Sequence, residues 1–336
     1  MKLGLETESM HLWFQNQKMN IFEFIDFAKE LKCDGVIINI IKDFNLDEEW
    51  GCLENDNETH LLKIREKLDK YDMYCEIDAK GFDFNKFIKI ARVAKILKAN
   101  IIRSYVPLTD STKKVKTASD GIYDDSKISA KFNKDDFLNS VKDIVKLIPI
   151  LEENDLNLAI ENHEYQTSND LLDLLHKINH PRIGFLFDFG NSMMAYEDPI
   201  RACKNMAKYT FSTHCKDHIV FLEDNEYYVC GVPLGSGNIN IKECVKILKE
   251  NGLNHINIEQ CFPYCATFKR ERGCGGVYDF DNESFKIEKP LFEELKAMQY
   301  YYPHEVSKEI LEKLLFLQKE GCIKSVDYMR KLIKDL

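Results

Sequence analysis

Eight short runs of β-branched and other apolar residues recur along this chain, separated by longer stretches whose apolar residues return every three or four positions. That alternation constrains the fold more than any other feature, because strand periods interleaved with helix periods specify parallel βα units rather than a sandwich or a bundle. Strands are expected at Lys2–Thr7, Gly35–Ile40, Met73–Asp78, Ile101–Val106, Asn157–Asn162, Ile183–Asp188, Thr210–Asp217 and His255–Gln260. Helices are expected at Ile21–Leu31, Phe137–Glu152, Asn169–Ile178 and Ile241–Glu250, with Asn20, Ser168 and Asn240 as N-caps. Several strand runs are apolar throughout, as burial on both faces requires. An open doubly wound sheet fits the same alternation, yet no GxGxxG follows the first strand and the glycine-rich turn Gly235-Ser236-Gly237 comes late. The chain therefore reads as a (β/α)8 TIM barrel with a C-terminal helical extension. Residues 1–290 form the barrel domain in this reading, and residues 291–336 supply the last barrel helix and the extension.

Two regions exceed the minimal repeat. Leu108–Asn133 is a polar stretch after the fourth strand, placed to form a loop or lid over the barrel mouth. Cys261–Leu336 begins with an aromatic loop bearing Gly and Arg, Phe262–Phe280, and continues into helical sequence suited to capping the barrel or binding a partner. With 336 residues and 44% hydrophobic content, one barrel accommodates the chain without a second domain. Asp and Glu total 56 against 46 Lys and Arg, and the net charge of −10 repels phosphate backbones, so no nucleic-acid partner is expected. No apolar run reaches the ~18 residues of a membrane span and no signal peptide opens the chain, so no membrane partner and a cytoplasmic location are expected. Eleven scattered cysteines without a CxxC pair are expected to be reduced and mostly buried.

In such barrels the chemistry gathers where strands end, and a polar residue closing an apolar run faces the pocket. Four successive strands close this way, with Glu161 after Leu158-Ala159-Ile160, Asp188 after Phe185-Leu186-Phe187, His214 after Ser212-Thr213, and Glu259 after Ile256-Asn257-Ile258. Three carboxylates and one imidazole form a mixed oxygen and nitrogen shell for one divalent metal, Mn2+, Co2+, Fe2+ or Mg2+, and the lack of thiolate argues against structural zinc. Open coordination positions would then serve substrate oxygens.

Glu161-Asn162-His163, the Asp188-Phe189-Gly190-Asn191 turn, His214-Cys215-Lys216-Asp217, the Pro233-Leu234-Gly235-Ser236-Gly237 turn and Glu259 together resemble the xylose-isomerase-like barrels of the sugar phosphate isomerase and epimerase family, over roughly residues 1 to 262. The resemblance implies one divalent ion, often Mn2+, held by Glu161, Asp188, His214 and Glu259. The three-metal, histidine-rich endonucleases of the same superfamily are a poorer match, because few histidines close strands here. Ketose 3-epimerases are similar, but they carry histidine at the position of Asn191 and none at that of His163. Among variants with that histidine, the catalytic α subunit of bacterial C-glycoside deglycosidases is similar. That likeness implies proton removal at C2 of a 3-keto sugar, an enediolate, elimination of an aromatic aglycone, and a small β-rich partner subunit. The broader alternative is an isomerase or epimerase of a free or keto sugar using the same enediolate, and a non-catalytic barrel subunit is the remote one.

His163 lies two positions beyond Glu161, so strand alternation sends both side chains to one face, where a neutral imidazole serves either as general base or as a hydrogen-bond partner of the ligands. Lys216 bears the same relation to His214 and is placed to stabilise an oxyanion or neutralise the carboxylates. The catalytic set is thus expected to be His163, Glu161, Glu259 and Lys216. Arg103 is placed either to bind a substrate hydroxyl or carboxylate or to form an ion pair with a neighbouring metal ligand. Asn162, Asn191 and His218 are candidates for substrate hydroxyls, and His11 and Trp13, with Phe14, for a wall of the pocket. Arg270 and Arg272 read as exposed, solvated arginines, so a phosphorylated substrate is unsupported.

Overall fold

The computed structural model describes residues 1–39, 57–107, 132–262, 264–289 and 307–336. Its centre is an eight-stranded parallel sheet in the order β10-β1-β2-β3-β4-β5-β6-β7. The strands are β1 (Lys2–Glu6), β2 (Gly35–Asn39), β3 (Tyr74–Asp78), β4 (Ile101–Ser104), β5 (Asn157–Glu161), β6 (Ile183–Asp188), β7 (Thr210–His214) and β10 (His255–Ile258). The two ends of the sheet meet where Cys215 bridges to Ile258: its N–H donates to the Asn257 carbonyl at 2.8 Å, and its carbonyl accepts from the Glu259 N–H at 3.2 Å. This contact closes the barrel. It also fixes Glu259 beside His214.

Around the sheet lie α1 (His11–Gln15), α2 (Ile21–Glu30), α3 (Glu58–Lys70), α4 (Phe84–Ile96), α5 (Lys134–Asn139), α6 (Val141–Glu153), α7 (Ser168–Ile178), α8 (Asn191–Met194), α9 (Pro199–Met206), α10 (Ile241–Glu250) and α11 (Lys308–Asp335). Asn20 and Asn240 cap α2 and α10 as expected, the first in a full capping box with Glu23. The cap of α7 is Thr167 rather than Ser168, because Asp170 completes a capping box with Thr167, and the Ser168 hydroxyl and N–H instead donate to Glu197. The helix expected at Phe137–Glu152 is two helices meeting at Ser140, whose hydroxyl turns back to the Phe137 carbonyl at 2.6 Å. The loop expected at Leu108–Asn133 lies outside the described residues except at its last two positions.

A further correction concerns the region after strand seven, which ends at His214 instead of running to Asp217. Asp217 opens an antiparallel hairpin, β8 (Asp217–Glu223) and β9 (Glu226–Val232), and β11 (Cys265–Thr267) adds a third strand to it. Asp224 and Asn225 both take positive φ, 49° and 63°, which is the two-residue turn that matches strand twist. Asp217 anchors the hairpin at its base. Its carboxylate accepts from the backbone N–H groups of His218, Gly235, Gly237 and Ile239, which fixes the Gly235-Ser236-Gly237 turn.

Beyond the barrel, α11 is a single 28-residue helix that docks on the segments following β1 and β10. Gln318 organises the contact: its carbonyl accepts from the Leu12 N–H at 3.1 Å and its amide donates to the Phe262 carbonyl at 3.0 Å. No helix among the described residues is long and apolar enough to cross a membrane. The described cysteines are free thiols, all buried except Cys274.

The lower barrel interior is polar. Tyr74 donates to Asn257 at 2.6 Å, Ser212 donates to Glu76 at 2.5 Å, and His255 Nε2 lies 2.6 Å from the same Glu76 carboxylate. Gly4 faces this network, and a Cβ there would lie 2.0 Å from Asn257 Oδ1 and 2.3 Å from the Tyr74 hydroxyl. Gly4→Ala is therefore expected to cost about 1–3 kcal/mol by overpacking, seen as a fall of several degrees in Tm. An unchanged Tm would mean that the Tyr74–Asn257 bridge yields freely.

Candidate metal centre

Glu161, Asp188 and His214 are the last residues of β5, β6 and β7, and Glu259 directly follows β10, so strand ends alone bring the four together at the C-terminal mouth. Each offers one ligand atom, and these atoms all lie within 4.8 Å of one another in a buried group. His214 Nδ1 faces the carboxylates, 2.6 Å from Glu259 Oε2, 3.2 Å from Glu161 Oε1 and 4.0 Å from Asp188 Oδ2. Asp188 Oδ2 and Glu259 Oε2, both on the side faced by His214 Nδ1, are buried without a hydrogen bond, which is the state of atoms left for a ligand. Lys216 Nζ keeps ionic contact with both of them, 2.9 Å from Asp188 Oδ2 and 3.0 Å from Glu259 Oε2.

Charge makes the same point. Glu6, Asp78, Glu161, Asp188 and Glu259 are all buried here, against the cations Arg103 and Lys216. Arg103 salt-bridges Asp78 at 2.6 Å and pairs with Glu161 through its other terminal nitrogen. Burial and the neighbouring Glu161 and Glu259 charges outweigh Lys216 and push the Asp188 carboxyl up to about 7, while burial lifts Asp78 to about 6 and Glu6 well above its ordinary range. Burial also acts on Glu161 and Glu259, but Arg103 holds the first well below the carboxylate range, and His214 with Lys216 holds the second near about 2. In His214, burial loses to the Glu259 and Glu161 charges, so its affinity for a proton is well above that of a free imidazole. Such an excess of negative charge, on three oxygen donors and one nitrogen, fits a divalent cation.

The remaining sequence candidates divide by their contacts. Asn191 serves the cluster: its N–H donates to Asp188 Oδ1 at 2.8 Å and its amide to Glu161 Oε1 at 3.2 Å. The Asn162 amide is spent on the backbone of Asp188, donating to its carbonyl at 2.9 Å and accepting from its N–H at 2.7 Å, so it aligns β5 with β6. Arg103 is committed to Asp78 and Glu161. His218, expected at the rim, is buried with Nε2 3.2 Å from Cys261 Sγ, and a Cβ on Gly190 would strike its ring. His11 is buried, with Nδ1 2.9 Å from the Glu8 carbonyl and 3.1 Å from the Gln318 amide, and Trp13 donates to the Leu315 carbonyl at 2.9 Å. Both hold α11 against the barrel. Arg270 is bound to the Tyr165 carbonyl at 2.7 Å, and Arg272 lies over the Tyr227 and Phe280 rings.

His163 is half-buried beside the cluster, its ring stacked on Tyr105 with centroids 4.0 Å apart and planes 10° apart. Burial lowers its proton affinity, keeping the imidazole neutral. Sequence reasoning passed over Glu6 and Asp78, although both close strands by the rule that found the other four. Tyr105 and Glu164 carried no such signal. Glu164 has a positive φ of 56° and accepts from the Tyr264 hydroxyl at 2.6 Å.

Fold and site together define a (β/α)8 barrel with a candidate divalent-metal centre at the C-terminal face of its strands. Residues 25–271 match the family described as xylose isomerase-like TIM barrel, and the chain belongs to that family. An uncharacterized protein of Escherichia coli (strain K12), YihM, is 24% identical over 221 residues, 66% of this chain and 60% of that protein. The match thus spans less than two thirds of that relative. Among solved structures, D-psicose 3-epimerase with D-tagatose from Clostridium cellulolyticum H10 superposes with a TM-score of 0.61 at 12% identity, covering 99% of both chains. The IOLI protein with a bound zinc atom gives 0.60 at 15% identity, covering 98% of this chain and 99% of that one.

Ligation requires Asp188 as carboxylate and His214 with a free Nδ1, whereas both hold protons readily without metal, Asp188 with its pKa about 7. Metal uptake is therefore expected to release protons and to weaken as pH falls through 7, measurable by calorimetry in buffers of different ionisation enthalpy. Glu259→Gln and His214→Ala should each lose most bound metal by elemental analysis. Full metal content in both would remove the site assignment.

Proposed function

We propose that this chain is a divalent-metal-dependent sugar enzyme of the isomerase and epimerase kind, which removes a proton from a carbon next to a carbonyl. The single observation that carries the reading is the buried convergence of Glu161, Asp188, His214 and Glu259 at the strand ends. A divalent ion held by these four residues, Mn2+ before Co2+, Fe2+ or Mg2+, would supply Lewis-acid stabilisation of negative charge on the substrate's oxygens. The likeness of the barrel to a structure of D-psicose 3-epimerase with D-tagatose supports a sugar as the substrate class.

The protein's own groups divide the proton work. His163, neutral and beside Glu161, takes the proton from carbon. Glu161 and Glu259 are kept ionised by Arg103, His214 and Lys216, the form that can hold a divalent ion and accept hydrogen bonds from substrate hydroxyls. Lys216 balances the carboxylates of Asp188 and Glu259 and faces charge that develops beside them.

His163 favours a narrower reading as well. It lies outside the four metal-facing residues, where it would take the C2 proton of a 3-keto C-glycoside before the aglycone leaves, and this is the deglycosidase α-subunit reading, with its small β-rich partner subunit. The first proton transfer is shared by both readings.

The test is deuterium incorporation from D2O, read by mass spectrometry, with the Mn2+-loaded protein and a panel of ketoses, 3-keto glucosides and 3-keto C-linked aromatic glucosides. Exchange with a new sugar establishes an isomerase or epimerase, and exchange with a released aglycone establishes the lyase. Absence of exchange across the panel with metal bound would overturn the carbon-acid reading. His163→Ala is expected to keep its metal and lose exchange by roughly 10²–10⁴-fold, the usual worth of a general base. Loss of metal in this variant would make His163 structural.

A further inference from the structure

The aromatic ring against His163 belongs to Tyr105, which follows β4 and is buried. The two rings are stacked with nearly parallel planes, 10° apart with centroids 4.0 Å apart, a geometry that leaves the imidazole little freedom to tilt. The same tyrosine ring receives the guanidinium of Arg103, 4.7 Å from its centroid, and Arg103 in turn grips Asp78 and Glu161. A continuous path therefore runs from the metal-facing Glu161 through Arg103 and Tyr105 to His163. Backbone geometry alone does not orient the imidazole. The chain turns sharply after His163, where the Tyr165 N–H donates to the His163 carbonyl at 2.7 Å and Glu164 takes a positive φ of 56°. The torsion that sets a histidine ring plane is broad in its intrinsic preference. The His163 N–H, donating to Gln166 at 3.0 Å, fixes the main chain rather than the ring.

We propose that Tyr105 is a positioning residue, whose stacked ring fixes the plane of the His163 imidazole relative to the carboxylate cluster. The inference rests on the proposed role of His163 as base. Its contribution appears in turnover rather than in substrate affinity or metal content, because Tyr105 acts through the orientation of another group.

The experiment compares Mg2+-loaded wild type, Tyr105→Phe and Tyr105→Leu, with histidine labelled in 13C and 15N and His163→Ala to assign the resonance. In wild type and Tyr105→Phe, the His163 ring protons should show the upfield ring-current shift of a stacked aromatic and a single conformer. In Tyr105→Leu that shift should vanish, kcat for deuterium exchange should fall by on the order of tenfold to a hundredfold, and KM and bound metal should stay within about twofold. Tyr105→Phe should keep kcat within about threefold.

A His163 spectrum unaltered in Tyr105→Leu overturns the proposal whatever the activity. So does unchanged turnover with the shift lost, equal losses in the Phe and Leu variants, or loss of metal in the Leu variant. If the wild type exchanges nothing on the panel, the functional reading has failed, and the spectra alone decide whether Tyr105 holds the ring.

Discussion

Arg103 is the charge on which the rest of the site depends. Its guanidinium binds Asp78 at the end of the third strand and Glu161 at the end of the fifth, where water is excluded. Two carboxylates buried this close would otherwise take up protons, and removing a buried partner of this kind typically costs about 3–5 kcal/mol. Arg103 pays that debt on one side of the cluster, and Lys216 serves Asp188 and Glu259 on the other. With both cations committed, the negative charge that remains is concentrated between them, at the four strand ends suited to a divalent ion. The charge that a divalent ion would meet there depends as much on how Arg103 and Lys216 are engaged as on the four candidate ligands.

Backbone arrangement supports this electrostatic design. The barrel closes at Cys215 and Ile258, one position from His214 and one from Glu259, so closure and ligand placement are one event. Asn162 reads the backbone of Asp188 from the neighbouring strand, and Asn191 returns from the following turn to hold both Asp188 and Glu161. Amides that resemble sugar-binding groups in the sequence therefore set the spacing of the carboxylates.

Much of this was legible because it rests on periodicity. Eight apolar runs with polar closures gave the barrel and placed Glu161, Asp188, His214 and Glu259 together, since residues that end adjacent strands must share one rim. Glu6 and Asp78 close strands by the same rule and were passed over, whereas the rest of what escaped depended on pairing across long sequence distances. Nothing local distinguishes Asn162 as a strand aligner, or His11 and Trp13 as docking groups for a helix some 300 residues away, contacts recorded at separations of 307 and 302. The hairpin β8–β9 was different. Its apolar run Ile219-Val220-Phe221-Leu222, its polar Asp224-Asn225 turn and its β-rich return carried a signal, which the expectation of one long seventh strand obscured. Tyr105 is legible only through its contact with His163.

The clamp made by Gln318 has a bearing on biosynthesis. It joins the segment after the first strand to the segment after the last one, on either side of Glu259, yet it belongs to a helix made after every barrel strand has left the ribosome. A nascent barrel can pair its strands before that helix exists. Without α11 the segments after β1 and β10 would lose the Gln318 bridge between them, so the rim that carries Glu259 is braced by the last of the described helices.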